Sequence, residues 1–147
     1  MKGVKLDEKK IDAKVTGSEV AVFADRGRIG QVIANLVSNA IKYTDEKGKI
    51  TINISKVVDN AVMVVEDTGI GISPEEQTRV FERFYRTDKS RTRKTGGAGI
   101  GLSISKAIVH SHNGTIRCES EPGVGSKFIV SLPEKSREVK GTVQLSP

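Results

Sequence analysis

The apolar residues Ile29, Val32, Ile33, Leu36, Val37, Ala40 and Ile41 recur at intervals of three and four, the repeat of an α-helix with one buried stripe. Such a stripe has to be covered, and the flanking sequence supplies strands to cover it. Residues 10–15 alternate polar and apolar as a half-buried strand does, Thr16-Gly17-Ser18 is a turn, and residues 20–23 read as a second strand. Asp25 stands where a helix N-cap belongs, and Lys47-Gly48 breaks the period. Strands are expected over 49–55 and 61–66, joined through Val58-Asp59-Asn60. Ser73-Pro74-Glu75-Glu76 has a capping hydroxyl, a proline in the first turn and a glutamate three residues on, so a short helix is expected there. Residues 86–95 are polar and basic without a hydrophobic period, the pattern of a mobile loop. A second amphipathic helix is expected from Gly99 to about His112, with Ile100, Ile104, Ala107 and Ile108 inward, then strands over 114–118 and 126–132. The order ββαββ-loop-αββ predicts a sandwich with helices on one face of a sheet. It places one domain in residues 1–133 and a polar, disordered tail in 134–147.

Composition removes several functions. At 147 residues the chain can bury a real core as a single domain, and no run approaches the roughly 18 apolar residues of a membrane helix. The start, Met1-Lys2-Gly3-Val4-Lys5, lacks a signal-peptide core. Cys118 is the single cysteine, so no disulfide forms within the chain, and with only His110 and His112 beside it a zinc site cannot close. The net charge of +6 suits an anionic partner, whether nucleotide, nucleic acid or acidic protein. With 4% aromatic residues and no tryptophan, platforms for stacking bases are poorly supplied, so nucleic acid is not the expected partner.

Three clusters could carry chemistry. Asn35, Asn39 and Lys42 fall within roughly 60° of one another around the first helix, beside its apolar stripe. Their amides offer oxygens to a hard cation and the ammonium offers charge to a phosphate, although a solvated, uncharged helix face would look the same. Asp67-Thr68-Gly69-Ile70-Gly71 follows a strand, where a carboxylate and close-approaching backbone could receive a flat ligand. Such an acceptor favours adenine, with its exocyclic amine, over guanine; an Asp-initiated turn is the plainer reading. Gly96-Gly97-Ala98-Gly99-Ile100-Gly101-Leu102 opens directly into a helix, exposing N–H groups that suit a phosphate, or serving as a hinge. It is neither a Walker A loop nor a Gly-x-Gly-x-x-Gly dinucleotide fingerprint. Between the clusters lie Phe81-Glu82-Arg83-Phe84-Tyr85-Arg86 and the basic residues Lys89, Arg91, Arg93 and Lys94, which could neutralise a nucleotide's tail or simply be solvated.

In this order the motifs resemble the catalytic, ATP-binding domain of bacterial two-component sensor histidine kinases, within the wider gyrase, Hsp90 and MutL-like ATPase group. Asn35-Leu36-Val37-Ser38-Asn39-Ala40-Ile41-Lys42-Tyr43 matches the asparagine box and Asp67-Thr68-Gly69-Ile70-Gly71 the first glycine box. Phe81 to Arg86 is similar to the phenylalanine box, Gly97-Ala98-Gly99-Ile100-Gly101-Leu102 to the second glycine box, and Gly123-Val124-Gly125-Ser126 to the last glycine turn. The resemblance spans about residues 10–133. It implies a Bergerat-type α+β fold: a two-layer α/β sandwich with a mixed, mostly antiparallel sheet of about five strands and three helices on one face.

The resemblance also implies roles. Asn39, with Asn35, would hold Mg2+ between the phosphates of ATP, and Lys42 would contact the phosphates. Tyr43 would pack on adenine and Asp67 would accept from its exocyclic amine. Gly69, Gly71, Ile72, Tyr85, Gly97, Ile100 and Leu102 would line the nucleotide, while Gly99 and Gly101 bring backbone amides to its phosphates. Arg86 would reach the γ-phosphate during transfer, and residues 87–95 would close as a lid. Hydrolysing members of the group carry a water-activating glutamate four residues before the magnesium asparagine; here that position is Asn35, which cannot take a proton. The catalytic assignment is therefore Arg86 with Asn35, in transfer to a protein acceptor rather than in hydrolysis. The acceptor implied is a histidine on a separate helical dimerisation domain, with a response regulator downstream. Residues before Lys10 leave no room for those helices, so an excised, monomeric fragment, nearly inert alone, is expected from the cytoplasmic part of a membrane-anchored parent, with no membrane contact of its own. The alternatives are a free-standing serine kinase of the anti-sigma type and a nucleotide-binding module without transfer activity.

Overall fold

Asp25 caps the long helix as its place in the sequence requires: its Oδ1 accepts from the Arg28 N–H at 3.0 Å. The computed structural model describes residues 3–6, 10–82, 101–134 and 142–145. The capped helix, α1, runs Arg26–Tyr43 and buries Ile29, Val32, Leu36 and Ala40. Strands β1 (Gly3–Leu6), β2 (Ile11–Gly17) and β3 (Val20–Phe23) precede it, and β4 (Lys49–Val57) and β5 (Asn60–Asp67) follow. A 3-10 turn over Arg79–Phe81, helix α2 (Gly101–Ser111) and strands β6 (Thr115–Glu121), β7 (Gly125–Pro133) and β8 (Thr142–Leu145) complete the described chain.

Six strands form one sheet in the order β1-β2-β4-β5-β7-β6, with β2 and β4 parallel and every other pair antiparallel. The pairing register aligns Ile54, Met63, Val130 and Ile116 across four strands on one face, and this face joins the stripe of α1 in the core. A row three residues along, Lys14, Thr51, Glu66, Lys127 and Glu119, lies on the opposite face. Alternation thus assigns one face to the helices and leaves the other more polar, with Val62, Val64 and Ile129 also on it.

Three expectations are corrected. The main sheet has six strands rather than about five, because Gly3–Leu6 adds an edge strand while β3 leaves to pair antiparallel with β8. That pairing also overturns the disordered tail at residues 142–145, since β3 offers them an unpaired edge. The short helix expected from Ser73 is a run of turns and a 3-10 turn, leaving two α-helices among the described residues instead of three. Most of its bonds reach three residues, as from the Glu76 N–H to the Ser73 carbonyl at 3.0 Å, and a single bond of four, from the Val80 N–H to the Glu76 carbonyl, is not continued into a helix. The Gln77 amide holds the segment from outside, donating to the carbonyls of Ile72 at 3.0 Å and Ser120 at 2.7 Å.

Two polar contacts fix how α1 and α2 lie together. At the start of α1 the Asp25 N–H donates to His112 Nε2 at 3.0 Å. His112 Nδ1 lies 2.8 Å from the Ile108 carbonyl, an acceptor only, so Nδ1 carries the proton. Further along, Asn35 meets Gly101 and Ser105. The helices therefore run antiparallel, and the N-terminus of α2 arrives beside the second half of α1.

Candidate functional site

The second half of α1 carries Asn35, Asn39, Lys42 and Tyr43, all half-buried. Lys42 Nζ sits 5.7 Å from the centre of the Tyr43 ring, within cation–π range. Asn35 Nδ2 donates to the Gly101 carbonyl and to Ser105 Oγ, each at 3.2 Å. A carbonyl accepts and never donates, so the NH2 of Asn35 faces α2 and Oδ1 is the atom left to accept elsewhere.

Asp67 ends β5 on the helix-covered face, only 5% exposed. Its Oδ1 accepts from the Gly69 N–H at 2.8 Å, and the Ser126 backbone N–H also donates to the carboxylate. Burial pushes its pKa above the usual 3.8; those two N–H groups pull it back in part, and Glu66 adds a smaller push upward. A carboxylate buried with two backbone donors has lone pairs to spare, so a donor such as an exocyclic amine suits it.

The loop after Asp67 is held from both sides. The Ile70 N–H donates to the Tyr43 carbonyl at 3.2 Å, and the Ile70 carbonyl accepts from Gly123 at 2.8 Å. The Ile72 N–H donates to Ser120 Oγ at 2.7 Å. A Cβ on Gly69 would strike the Tyr43 carbonyl and lie 2.9 Å from Asp67 Oδ1. Gly71 has φ +75°, and a Cβ there would strike the Glu121 carbonyl. Both glycines are therefore required by close packing of this loop against the end of α1 and the end of β6. Ile72 and Leu102 are half-buried against the core.

The structure brings together the asparagine stripe, the Asp67 loop, the start of α2 at Gly101 and the Gly123–Ser126 turn. Phe81, from the phenylalanine motif, packs edge-on to Phe128 at 6.0 Å between ring centres, with Lys106 Nζ 5.7 Å from its own ring centre. Tyr85, Arg86, Gly97, Gly99, Ile100 and the lid at 87–95 lie outside the described residues. For a metal, the donors at hand are the amide oxygens of Asn35 and Asn39; no cluster of three His, Cys, Asp or Glu side chains occurs among the described residues. Such a donor set suits Mg2+ that keeps phosphate oxygens and waters as its other ligands.

Two supporting residues, Ser120 and Ser105, escaped sequence reasoning, and Ser126 stood out only as the last residue of the glycine turn. Ser120 and Ser126 face each other across β6 and β7, hydroxyls 2.8 Å apart, and Ser120 Oγ donates to the Gly125 carbonyl at 2.8 Å. Alternation with Phe128 and Cys118 would have placed both on the buried face beside Asp67. Ser105, fully buried in α2, had no comparable signal. Cys118 is no reactive centre: burial above all, then the charges of Asp67 and Glu119, push its thiol up to about 12.

Residues 24–136 match the family described as histidine kinase-, DNA gyrase B- and HSP90-like ATPase. The sensor-like histidine kinase SenX3 of Mycolicibacterium smegmatis is 50% identical over 113 residues, 77% of this chain and 29% of that protein. Sensor histidine kinase WalK of Bacillus subtilis is 41% identical over 122 residues, 82% of this chain and 20% of that protein. The chain thus spans less than a third of the length of these relatives. Among solved structures, the mycobacterial sensor histidine kinase MprB matches with TM-score 0.78 and 30% identity over 85% of this chain and 84% of that one. Full-length ShkA in complex with AMPPNP matches with TM-score 0.76 and 32% identity, covering 86% of this chain and 26% of that one. Histidine kinase ThkA in complex with response regulator protein TrrA gives TM-score 0.71 and 32% identity over 86% and 35%.

Proposed function

The chain belongs to the histidine kinase-, DNA gyrase B- and HSP90-like ATPase family, as a catalytic ATP-binding domain of the histidine kinase type, and we propose that it binds Mg-ATP and delivers the γ-phosphate to a histidine on a separate dimerisation domain. The observation that carries this reading is the buried carboxylate of Asp67, placed one loop away from the amide stripe and the α2 N-terminus. That arrangement offers an acceptor for adenine at one end and donors for phosphates and their metal at the other.

In this reading Asp67 accepts from the exocyclic amine, and Tyr43, Gly69, Gly71 and Ile72 border the base. Lys42, Gly99 and Gly101 serve the phosphates, and Tyr85, Gly97, Ile100 and Leu102 line the nucleotide. Arg86 stabilises charge on the transferring group. Mg2+, when bound by Asn39 and Asn35, supplies neutralisation of phosphate charge. Asn35 is an amide where hydrolysing relatives have a glutamate, so water is not activated and a protein acceptor is favoured. The names of the relatives and the ThkA–TrrA complex support a response regulator as the further partner and a sensor kinase as the parent; in this reading the domain lies on the cytoplasmic side of that parent. No described helix is long and apolar enough to cross a membrane.

Calorimetric titration with ATP and GTP, each with and without Mg2+, tests the reading. ATP is expected to bind and GTP to fail, because Asp67 repels a carbonyl where adenine has an amine. Equal affinity for both would remove Asp67 from base recognition, and no binding of either would overturn the proposal.

A further inference from the structure

A second consequence concerns the atom that Asn35 presents. A carboxamide has two faces of opposite chemistry, an oxygen that can ligate a hard cation and an NH2 that repels one, related by a half-turn of the side chain. The Gly101 carbonyl occupies one N–H of Asn35 at 3.2 Å. The second N–H would otherwise be left over, and Ser105 Oγ takes it, also at 3.2 Å. Turning the amide over would lose the Gly101 bond and set an oxygen against a carbonyl, whereas the Ser105 hydroxyl, able to donate or accept, keeps hold of the side chain. Ser105 is 0% exposed, flanked in α2 by the buried Ile108 and Val109, a place where a hydroxyl is costly unless it is used.

We infer that Ser105 is a positioning residue: the Gly101 carbonyl sets which way the Asn35 amide faces, and Ser105 holds the amide in that place, so that Oδ1 is the atom offered to the metal and phosphates. The inference deepens the reading of the site as an Mg-ATP site and rests on it. Ser105 acts only through Asn35, and the same pair joins the metal-bearing face of α1 to the first turn of α2.

The test is calorimetric titration of the wild-type chain and of Ser105→Ala with ATP, with and without Mg2+, alongside thermal melting. In Ser105→Ala the metal-free ATP affinity is expected to stay within about twofold, while the gain in affinity on adding Mg2+ falls by about three- to tenfold, the weight of one hydrogen bond. In an Asn35→Ala background the serine change should have no further effect on that gain, since the group it positions is gone. A merely structural serine would shift the melting temperature and leave the Mg2+ gain alone. An unchanged Mg2+ gain in Ser105→Ala, or the same loss in both backgrounds, overturns the inference while leaving the site reading intact. A wild-type chain with no Mg2+-dependent ATP affinity overturns both. If Ser105→Ala fails to fold, Ser105→Cys, similar in size but a poor acceptor, carries the same expectations.

Discussion

The two ends of α1 meet the sheet in opposite ways. At the C-terminal end the Tyr43 carbonyl accepts from Ile70, and Gly69 and Gly71 lie where no methyl group fits. Asp67 is buried there with backbone donors on its carboxylate. At the N-terminal end the contact is wholly apolar and slack. Ile29, Val32, Met63, Val130 and Leu132 help enclose a void of about 10 Å³. Nearby, Val57 and Val58 in the β4–β5 hairpin are 52% and 79% exposed. The same helix and sheet thus tolerate looser packing where they only exclude water, and hold the backbone closely around the Asp67 loop.

Substituting glycines at the tight end should break the comparison most strongly. Gly71→Ala forces a side chain onto φ +75° and drives Cβ into the Glu121 carbonyl, with Pro122 Cα 2.7 Å away. A loss of about 3 kcal/mol is expected from strain and overpacking together, read as a lower urea midpoint. A loss under about 1 kcal/mol would show that the loop can shift, and that the tight end is not as fixed as its contacts imply.

Asp67→Asn sharpens the comparison because fold and function should respond with opposite signs. The charge that burial disfavours is removed, so the ligand-free protein should melt higher. The folded pKa of Asp67 lies above its unfolded value, so the folded state holds the proton more tightly. Wild-type stability therefore falls as pH rises from the unfolded value through the folded one. The variant's advantage should be full at neutral pH and disappear at pH below about 3.8. ATP affinity should fall by about 1–3 kcal/mol, since a bond to a charged acceptor is lost. A variant that melts lower would mean that the two backbone donors outweigh burial; unchanged ATP affinity would remove Asp67 from the site.

This contrast also explains what the sequence revealed. The periodic stripe of α1, its Asp25 cap and the strand ending at Asp67 are local patterns, and each holds in the structure. Ser73 to Phe81 had a good helix start, yet Gln77 bonds to Ser120, far along the chain, and that tertiary tie outranks local propensity. Strand β8 depends on an edge left free by β3, and no pattern within residues 142–145 announces it. At the site, Asn35 and Asp67 stood out by residue type. Ser105 matters through a contact 70 residues away in sequence, a relation visible only once the helices are packed.

The slack end predicts the smallest effects, of the reverse sign. Gly30 lies inside α1, exposed, with nothing within 4 Å of where its Cβ would be. Gly30→Ala should therefore stabilise by about 0.5–1 kcal/mol through helix propensity alone. Val130→Ile adds one methylene toward the void lined by Ile29 and Met63 and should gain up to about 0.8 kcal/mol. Both changes should leave ATP affinity untouched, because neither side chain reaches the Asp67 loop or the asparagine stripe. Combined, they should add nearly linearly if the glycine acts through the unfolded chain and the valine through packing. A loss of stability in Val130→Ile would show that the void is already shaped to its walls, and that the looseness of this end is only apparent. A change in ATP affinity in either variant would show instead that strain travels the length of α1, which would make the two ends one mechanical unit.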